Sequence, residues 1–193
     1  MEHWLGTGRS LDEVCTAAGL ESVDTGGLAT PDELIARLRE GEQVVEAIQF
    51  LAHALPKREA IWWAWSCARH SAGDEPPEVI RGCLEATGLW IQDPSDANRR
   101  NAYEWAQKAD IATAAGCAGA AAFFSGGSMG TPDQPEMLPD EYQAAKTIAG
   151  SVLLAAVQDP ETAQDTMLDY LARGMEVADR VHLWTPPGAG GAR

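Results

Sequence analysis

An all-α fold is predicted by three features of the sequence. Helix-capping residues recur ahead of apolar runs from one end of the chain to the other. The apolar positions in those runs repeat at helical spacing, and no stretch alternates as a half-buried strand would. Glycine, proline and Asp-Pro steps punctuate the runs at intervals that a helix fills. About eight or nine helices are expected, packed as antiparallel hairpins around a central tryptophan-rich helix. A short solenoid-like stack of the same hairpins is the alternative arrangement.

The first helix opens at a capping box, Ser10 with Glu13, and ends at Gly19. A second box follows at Thr30, with Pro31 at the first helical position and Glu33 reaching back; Leu34, Ile35 and Leu38 then share one face until Gly41. From Glu42 onward Val44, Val45, Ile48, Leu51, Ala52 and Leu55 repeat at helical spacing until Pro56 stops the run.

The tryptophan helix begins after Pro56 and frays at Ser71-Ala72-Gly73. It carries Trp62, Trp63 and Trp65, three of the seven tryptophans. Arg58, Trp62, Trp65 and Arg69 fall on one face, with Trp63 and His70 on an adjacent one, and Ile61, Ala64, Cys67 and Ala68 fill the rest. A helix so apolar around its circumference reads as a buried one. Arg58 with Trp62 and Trp65 with Arg69 are spaced for a guanidinium to lie over an indole. Trp and Arg together also describe a partner-binding hot spot, so the face has two readings, core and interface.

After Pro76-Pro77, apolar positions from Val79 to Ile91 suggest a helix weakened by Gly82 and Gly88, and Asp93-Pro94 breaks it. Ser95 caps the next, through Tyr103, Trp105 and Ala109. The alanine-rich run from Ile111 to Phe124 reads as helical despite its glycines, because small residues suit close helix packing. Residues 126–139, GGSMGTPDQPEMLP, form the one long irregular loop; helices from Asp140 to Val157 and from Glu161 to Trp184 follow. Residues 1–184 are thus expected to be a single all-helical domain, and 185–193, PPGAGGAR with the preceding threonine, a disordered tail. The segments Ile91-Gln92-Asp93-Pro94 and Val157-Gln158-Asp159-Pro160 echo one another, either as helix stops of the same kind or as marks of a repeated hairpin.

Charge limits the functions open to such a chain. The formal net charge is -15 over 193 residues, and only three of the fourteen basic residues are lysines. Binding nucleic acid needs a basic stripe, yet the densest basic clusters are Lys57-Arg58 and Arg99-Arg100; an anionic membrane surface is disfavoured for the same reason. The N-terminus lacks a basic region leading into an apolar run, and no stretch is apolar enough to span a bilayer, so a cytoplasmic protein is expected. Cys15, Cys67, Cys83 and Cys117 form no CxxC and read as free, buried thiols.

No catalytic constellation emerges. HExxH, GxSxG and GxxxxGK[ST] are absent, and no cofactor or metal set is expected. Cys67 and His70, one helical turn apart, would make a thiolate-imidazole pair only if solvent reached them. His53 reads as a core or boundary histidine bonded to a backbone carbonyl, and His3 and His182 have no companions at ligand spacing. The loop at 126–139 combines glycine and proline with Met129, Met137 and Leu138, and Phe123 and Phe124 lead into it, which makes these five the candidate partner-binding residues. A plain crossover between helices is the other reading of that loop. Arg99 and Arg100 stand in the first turn of a helix, where cations need nearby acids; Glu59 or Asp93 is the expected partner.

Three segments carry a resemblance when taken together and in order: FLAHALPKREAIWWAWSCAR at 50–69, DPSDANRRNAYEWA at 93–106, and AAFFSGGSMGTPDQPEMLP at 121–139 leading to TIAGSVLLAAV. They are similar to an uncharacterised bacterial domain family with ALPxREAxWWA, DPSxxNRRxA and AxFxSGGSxxPP motifs, over roughly Val45 to Val157. The resemblance supplies no catalytic residues. It implies relatives near type VI secretion genes, and hence assembly or cargo handling.

The function expected is a non-enzymatic adaptor or accessory factor whose partner is another protein, an effector or spike component of a type VI system being the class implied. A small-molecule binder or enzyme with a pocket between the tryptophan helix and the 126–139 loop, suited to an anionic ligand, is the alternative, with Arg58, Trp62, Trp63, Trp65, Arg69, Arg99 and Arg100 as structural or lining residues. An acidic immunity protein covering a basic toxin is the third possibility.

Overall fold

The structure, a computed structural model, describes residues 9–183 apart from Ala29 and Pro132. The predicted tail at 185–193 and its boundary at Trp184 lie outside the described residues, as do His3 and Trp4. Among the described residues there are nine helices and no strand.

Both predicted capping boxes form. α1 (Leu11–Ala17) starts with Ser10 Oγ accepting from Glu13 N and the Glu13 carboxylate accepting from Ser10 N; α2 (Pro31–Glu40) repeats the exchange between Thr30 and Glu33. Gly19, with φ +74°, supplies the left-handed turn after α1. α3 (Val44–Ala54) and α4 (Lys57–Ala72) meet at the extended Leu55 and Pro56, and α4 ends where Gly73 takes φ +72°. α5 (Glu78–Gln92) runs through both its glycines without a break. Gly82 is a packing requirement: a Cβ there would overlap the ring of Trp105, which belongs to α6 (Asp96–Lys108).

Three helices are shorter than the sequence suggests, and side-chain-capped turns explain each case. α7 (Ala114–Phe124) begins after its N-cap Thr113, not at Ile111, because Asp110 adopts φ 68° and its carboxylate accepts from Ala112 N. α8 (Gln143–Ala156) starts after Asp140 has accepted from Tyr142 N, and α9 (Ala163–Arg180) after Asp159 has accepted from Glu161 N. The two QDP joints are therefore built differently: at the first, Asp93 accepts from Asn98 Nδ2 while Ser95 caps α6; at the second, Thr162 provides no side-chain cap.

Consecutive helices pack as neighbours from α4 to α9, and the arrangement is closed by α4, which touches α5, α7, α8 and α9. α4 shares the centre with α7, whose residues from Ala114 to Phe123 are all buried except Cys117. α7 gains its place through smallness: a Cβ on Gly119 would stand 2.9 Å from the Ala102 carbonyl of α6 and 3.1 Å from Ala106 Cβ. Across the other face Ser151 of α8 donates to the Ala114 carbonyl at 2.8 Å.

On α4 only one side is fully buried. Ala60, Ile61, Trp63, Ala64, Cys67 and Ala68 face inward, whereas Trp62 and Trp65 remain half-buried. Trp63 Nε1 donates to the Tyr170 carbonyl at 2.7 Å, and its indole rests on Gly174 of α9, where an added Cβ would come within 2.7 Å of it. Of the two expected guanidinium-indole pairs, Arg69 lies over Trp65 at 5.4 Å. Arg58 turns instead to the free C-terminal carbonyls of α5, donating to Ile91 at 2.7 Å and Gln92 at 3.2 Å, and Arg180 takes the place over Trp62 at 5.8 Å.

Candidate functional site

Two regions carry most of the charged and aromatic side chains that sequence singles out: the 126–139 loop with its base, and an open groove between α4 and α5.

At the base of the loop, Arg99 and Arg100 find acids closer to home than expected. Neither Glu59 nor Asp93 is the partner; both guanidiniums grip Asp96, one turn back on α6. Arg99 Nη2 lies 2.6 Å from Asp96 Oδ1 and Arg100 Nε 2.8 Å from Oδ2. The chain departs from the expectation because Asp96 and both arginines share one face at spacings of three and four, while Asp93 is engaged with Asn98. The hydrogen bonds from Arg100 and then Arg99 hold the Asp96 carboxyl below its ordinary value, even though Asp96 is well exposed.

The same guanidiniums reach across to main-chain oxygens. Arg99, only 4% exposed, donates from Nη1 to the Phe123 carbonyl and from Nη2 to the Ser128 carbonyl, each at 2.8 Å. Phe123 lies at the end of α7, where carbonyls lack helical partners and a cation is favoured. Arg100 Nη2 donates to Ser128 and Gly130 at 3.0 and 2.8 Å, and Lys57 Nζ to Ser125 at 3.0 Å. The loop begins, then, as a set of carbonyls wrapped around two arginines.

Gly127 permits the wrap. Its φ is +71°, and a Cβ there would stand 3.2 Å from Arg99 Nη2. Further along, the loop closes on itself: Met129 N donates to the Met137 carbonyl at 2.7 Å, and Ser128 Oγ accepts from both Gly130 N and Met137 N.

The five candidate residues of this region separate into a floor and an exposed pair on the return limb of the loop. Phe123 is buried and stacked on Tyr103, with ring centroids 4.1 Å apart and 13° between planes, while Arg99 lies over its ring at 4.6 Å. Phe124 is half-buried against the same pair, and Met129 is half-buried in the closed loop. Met137 and Leu138 stand 53% and 60% exposed. From Asp110 to Ala145 the chain contains no lysine or arginine, and Asp133, Glu136, Asp140 and Glu141 flank the exposed pair.

The groove lies elsewhere, between α4 and α5 with Arg173 of α9 at one side, and has a volume of about 1030 Å³. The loop does not line it, nor do Arg58, Trp62, Trp63, Arg99 and Arg100; of the expected pocket residues it brings together Trp65 and Arg69. Sequence reading misses Arg81 and Arg173, which carry no motif and come from two further helices. Trp65 is fixed as one wall by donating from Nε1 to the Leu84 carbonyl at 2.7 Å. Arg173 lies over the Tyr170 ring at 5.4 Å, and His70 meets that ring edge-on at 5.9 Å.

The Cys67–His70 pair is not set up as a thiolate nucleophile. Cys67, one turn before His70, is buried and its thiol is pushed up to about 12 by desolvation, which leaves no thiolate to attack. Cys15 and Cys83 are likewise raised to about 11 by burial. Among the described residues no three His, Cys, Asp or Glu side chains converge as metal ligands, and no helix is long and apolar enough to cross a membrane.

Comparisons with known proteins agree with the sequence resemblance at the level of family. A search of curated proteins and of solved structures returns no match. A family model described as a family of unknown function, DUF6931, matches residues 34–178 of the 193. That span runs from within α2 to the last turn of α9 and takes in both the arginine-wrapped loop and the groove. The chain belongs to this family of unknown function.

Proposed function

We propose that this chain is a non-enzymatic interaction module that engages a protein partner through the exposed return limb of the 126–139 loop. One observation carries the reading: Met137 and Leu138, adjacent and more than half exposed, project from a loop whose base is tied to Arg99 and Arg100. A limb held in one shape loses little conformational entropy on binding, so its apolar contacts convert more fully into affinity. The flexible side chain of Met137 suits an apolar socket, and the surrounding acids select a socket with a basic rim.

An effector or spike component of a type VI secretion system, in the cytoplasm, is the partner class that the family resemblance implies. The test is capture from native cells with the tagged full chain, followed by mass spectrometry, in parallel with a Met137→Asp/Leu138→Asp variant of unchanged melting temperature. A stoichiometric partner held by the wild type and lost by the variant supports the reading. Equal capture by both, or none by either, removes it.

A further inference from the structure

The arginines of this protein divide by what their guanidiniums touch. Arg9, Arg37, Arg58, Arg99 and Arg100 all donate to protein oxygens, and Arg180 lies 4.0 Å from Glu176. Among the described residues Arg39, Arg69, Arg81 and Arg173 make neither a side-chain hydrogen bond nor an ion pair, and the last three line the groove between α4 and α5. In a chain of net charge -15 these cations could have been neutralised by neighbouring acids. They are instead presented from three different helices to one open space, where Asp74 and Glu85 also stand on the lining.

We propose that this groove binds a small phosphomonoester carrying a flat ring, of the size of a mononucleotide. Three guanidinium forks approaching from α4, α5 and α9 suit a tetrahedral dianion that offers oxygens in several directions; a lone carboxylate is satisfied by one fork. The flat portion rests against Trp65, whose indole is half-buried and fixed by its bond to Leu84. Gly88 lies beside that indole, a Cβ there falling 3.6 Å from it, and adds no side chain to the wall, while the Arg69 guanidinium over the ring at 5.4 Å offers the ligand a second flat surface. A volume of about 1030 Å³ accommodates such a ligand. The site is separate from the 126–139 loop and stands whether or not the loop binds a partner.

The test is calorimetric titration of the full chain with adenosine monophosphate, inorganic phosphate and adenosine as probes. Adenosine monophosphate is expected to bind more tightly than either fragment, with affinity that falls as salt rises. Each of Arg69→Gln, Arg81→Gln and Arg173→Gln should weaken it by about tenfold, the loss of one charge-assisted contact. Met137→Asp/Leu138→Asp should leave it unchanged. Absence of binding by adenosine monophosphate and phosphate at millimolar concentration overturns the proposal, as does equal affinity in the wild type and the triple arginine variant. Adenosine binding as tightly as the monophosphate overturns it too, since the arginines would then be idle. Should the triple variant unfold, Arg81→Gln alone decides, because Arg81 is exposed and has no protein partner to lose.

Discussion

Arg99 and Arg100 on one side, and Arg69, Arg81 and Arg173 on the other, are the same residue put to opposite uses. The first pair is saturated by an aspartate and by four carbonyl contacts of the chain itself; the second group touches aromatic rings or solvent and donates to nothing described. Position explains the division. The first turn of α6 faces the C-terminal end of α7, where helical carbonyls need donors, whereas the groove arginines line an open space between α4, α5 and α9 and reach no carbonyl of a neighbouring helix. A cation that completes the fold is a structural part; one that the fold leaves unpaired is available to a ligand. The contrast fails if Arg99 proves dispensable. Arg99→Met keeps the stem and removes five donors, taking from the Phe123 carbonyl its arginine donor and leaving the Ser128 carbonyl with Arg100 alone. We expect a loss of about 2–4 kcal/mol in urea unfolding; a change below about 0.5 kcal/mol would mean that the loop holds its shape unaided.

The loop side of the comparison can be tested without touching an arginine. Gly127→Ala meets both a left-handed φ of +71° and the Arg99 guanidinium, while Gly126, next door, has nothing within 4 Å of the position its Cβ would take. Gly127→Ala should cost about 1–2 kcal/mol and Gly126→Ala little, read as the difference between their melting temperatures. Equal effects would show that the wrap around Arg99 is loose.

His53 provides a third way of housing a basic side chain, which is to give up the charge. It is 6% exposed, its Nδ1 lies 2.8 Å from the Gln49 carbonyl, and its Nε2 is buried without a partner. Desolvation, with Arg9 and Lys146 nearby, lowers its pKa below the ordinary 6.5 despite the opposing pull of the Gln49 bond. The unfolded chain therefore takes up more protons than the folded one between that depressed value and 6.5. Stability should be full above about pH 6.5 and fall as the pH drops through the depressed value, and His53→Leu should remove that part of the slope. A pH profile of unfolding identical in the two proteins would place the proton elsewhere.

How far these features can be read in the sequence depends on how local their causes are. The capping boxes at Ser10 and Thr30, the stop at Pro56 and the carbonyl partner of His53 are set by residues within four positions, and all are legible. So is the Arg69–Trp65 pair, one turn apart. Arg58 misleads because the unbonded carbonyls at the end of α5 exist only after α4 and α5 have docked. Asp96 was visible at the right spacing from both arginines and is passed over when a cross-helix acid is sought; the loop carbonyls of Ser128 and Gly130 could not be anticipated at all, since main-chain oxygens leave no mark in a sequence. Smallness is half legible. The glycines of α7 announce close packing, but Gly82 looks like a weak point in α5 until Trp105 is seen to occupy its missing side chain. The groove has no signature because three helices each contribute one arginine.

The smallest expected effect is the most informative about that groove. Arg81→Gln removes a charge that no described protein group contacts, so its effect on unfolding free energy should stay within about 0.5 kcal/mol. If Asp74 and Glu85 on the same lining attract it through solvent, screening limits the loss and salt abolishes it. A larger loss that persists in high salt would mean that Arg81 packs its stem or donates a bond in solution, and it would then belong with Arg99 among the residues that build the fold. A neutral outcome leaves the guanidinium unclaimed by the fold, which is the condition a ligand-binding arginine has to meet before any titration with a ligand is interpreted.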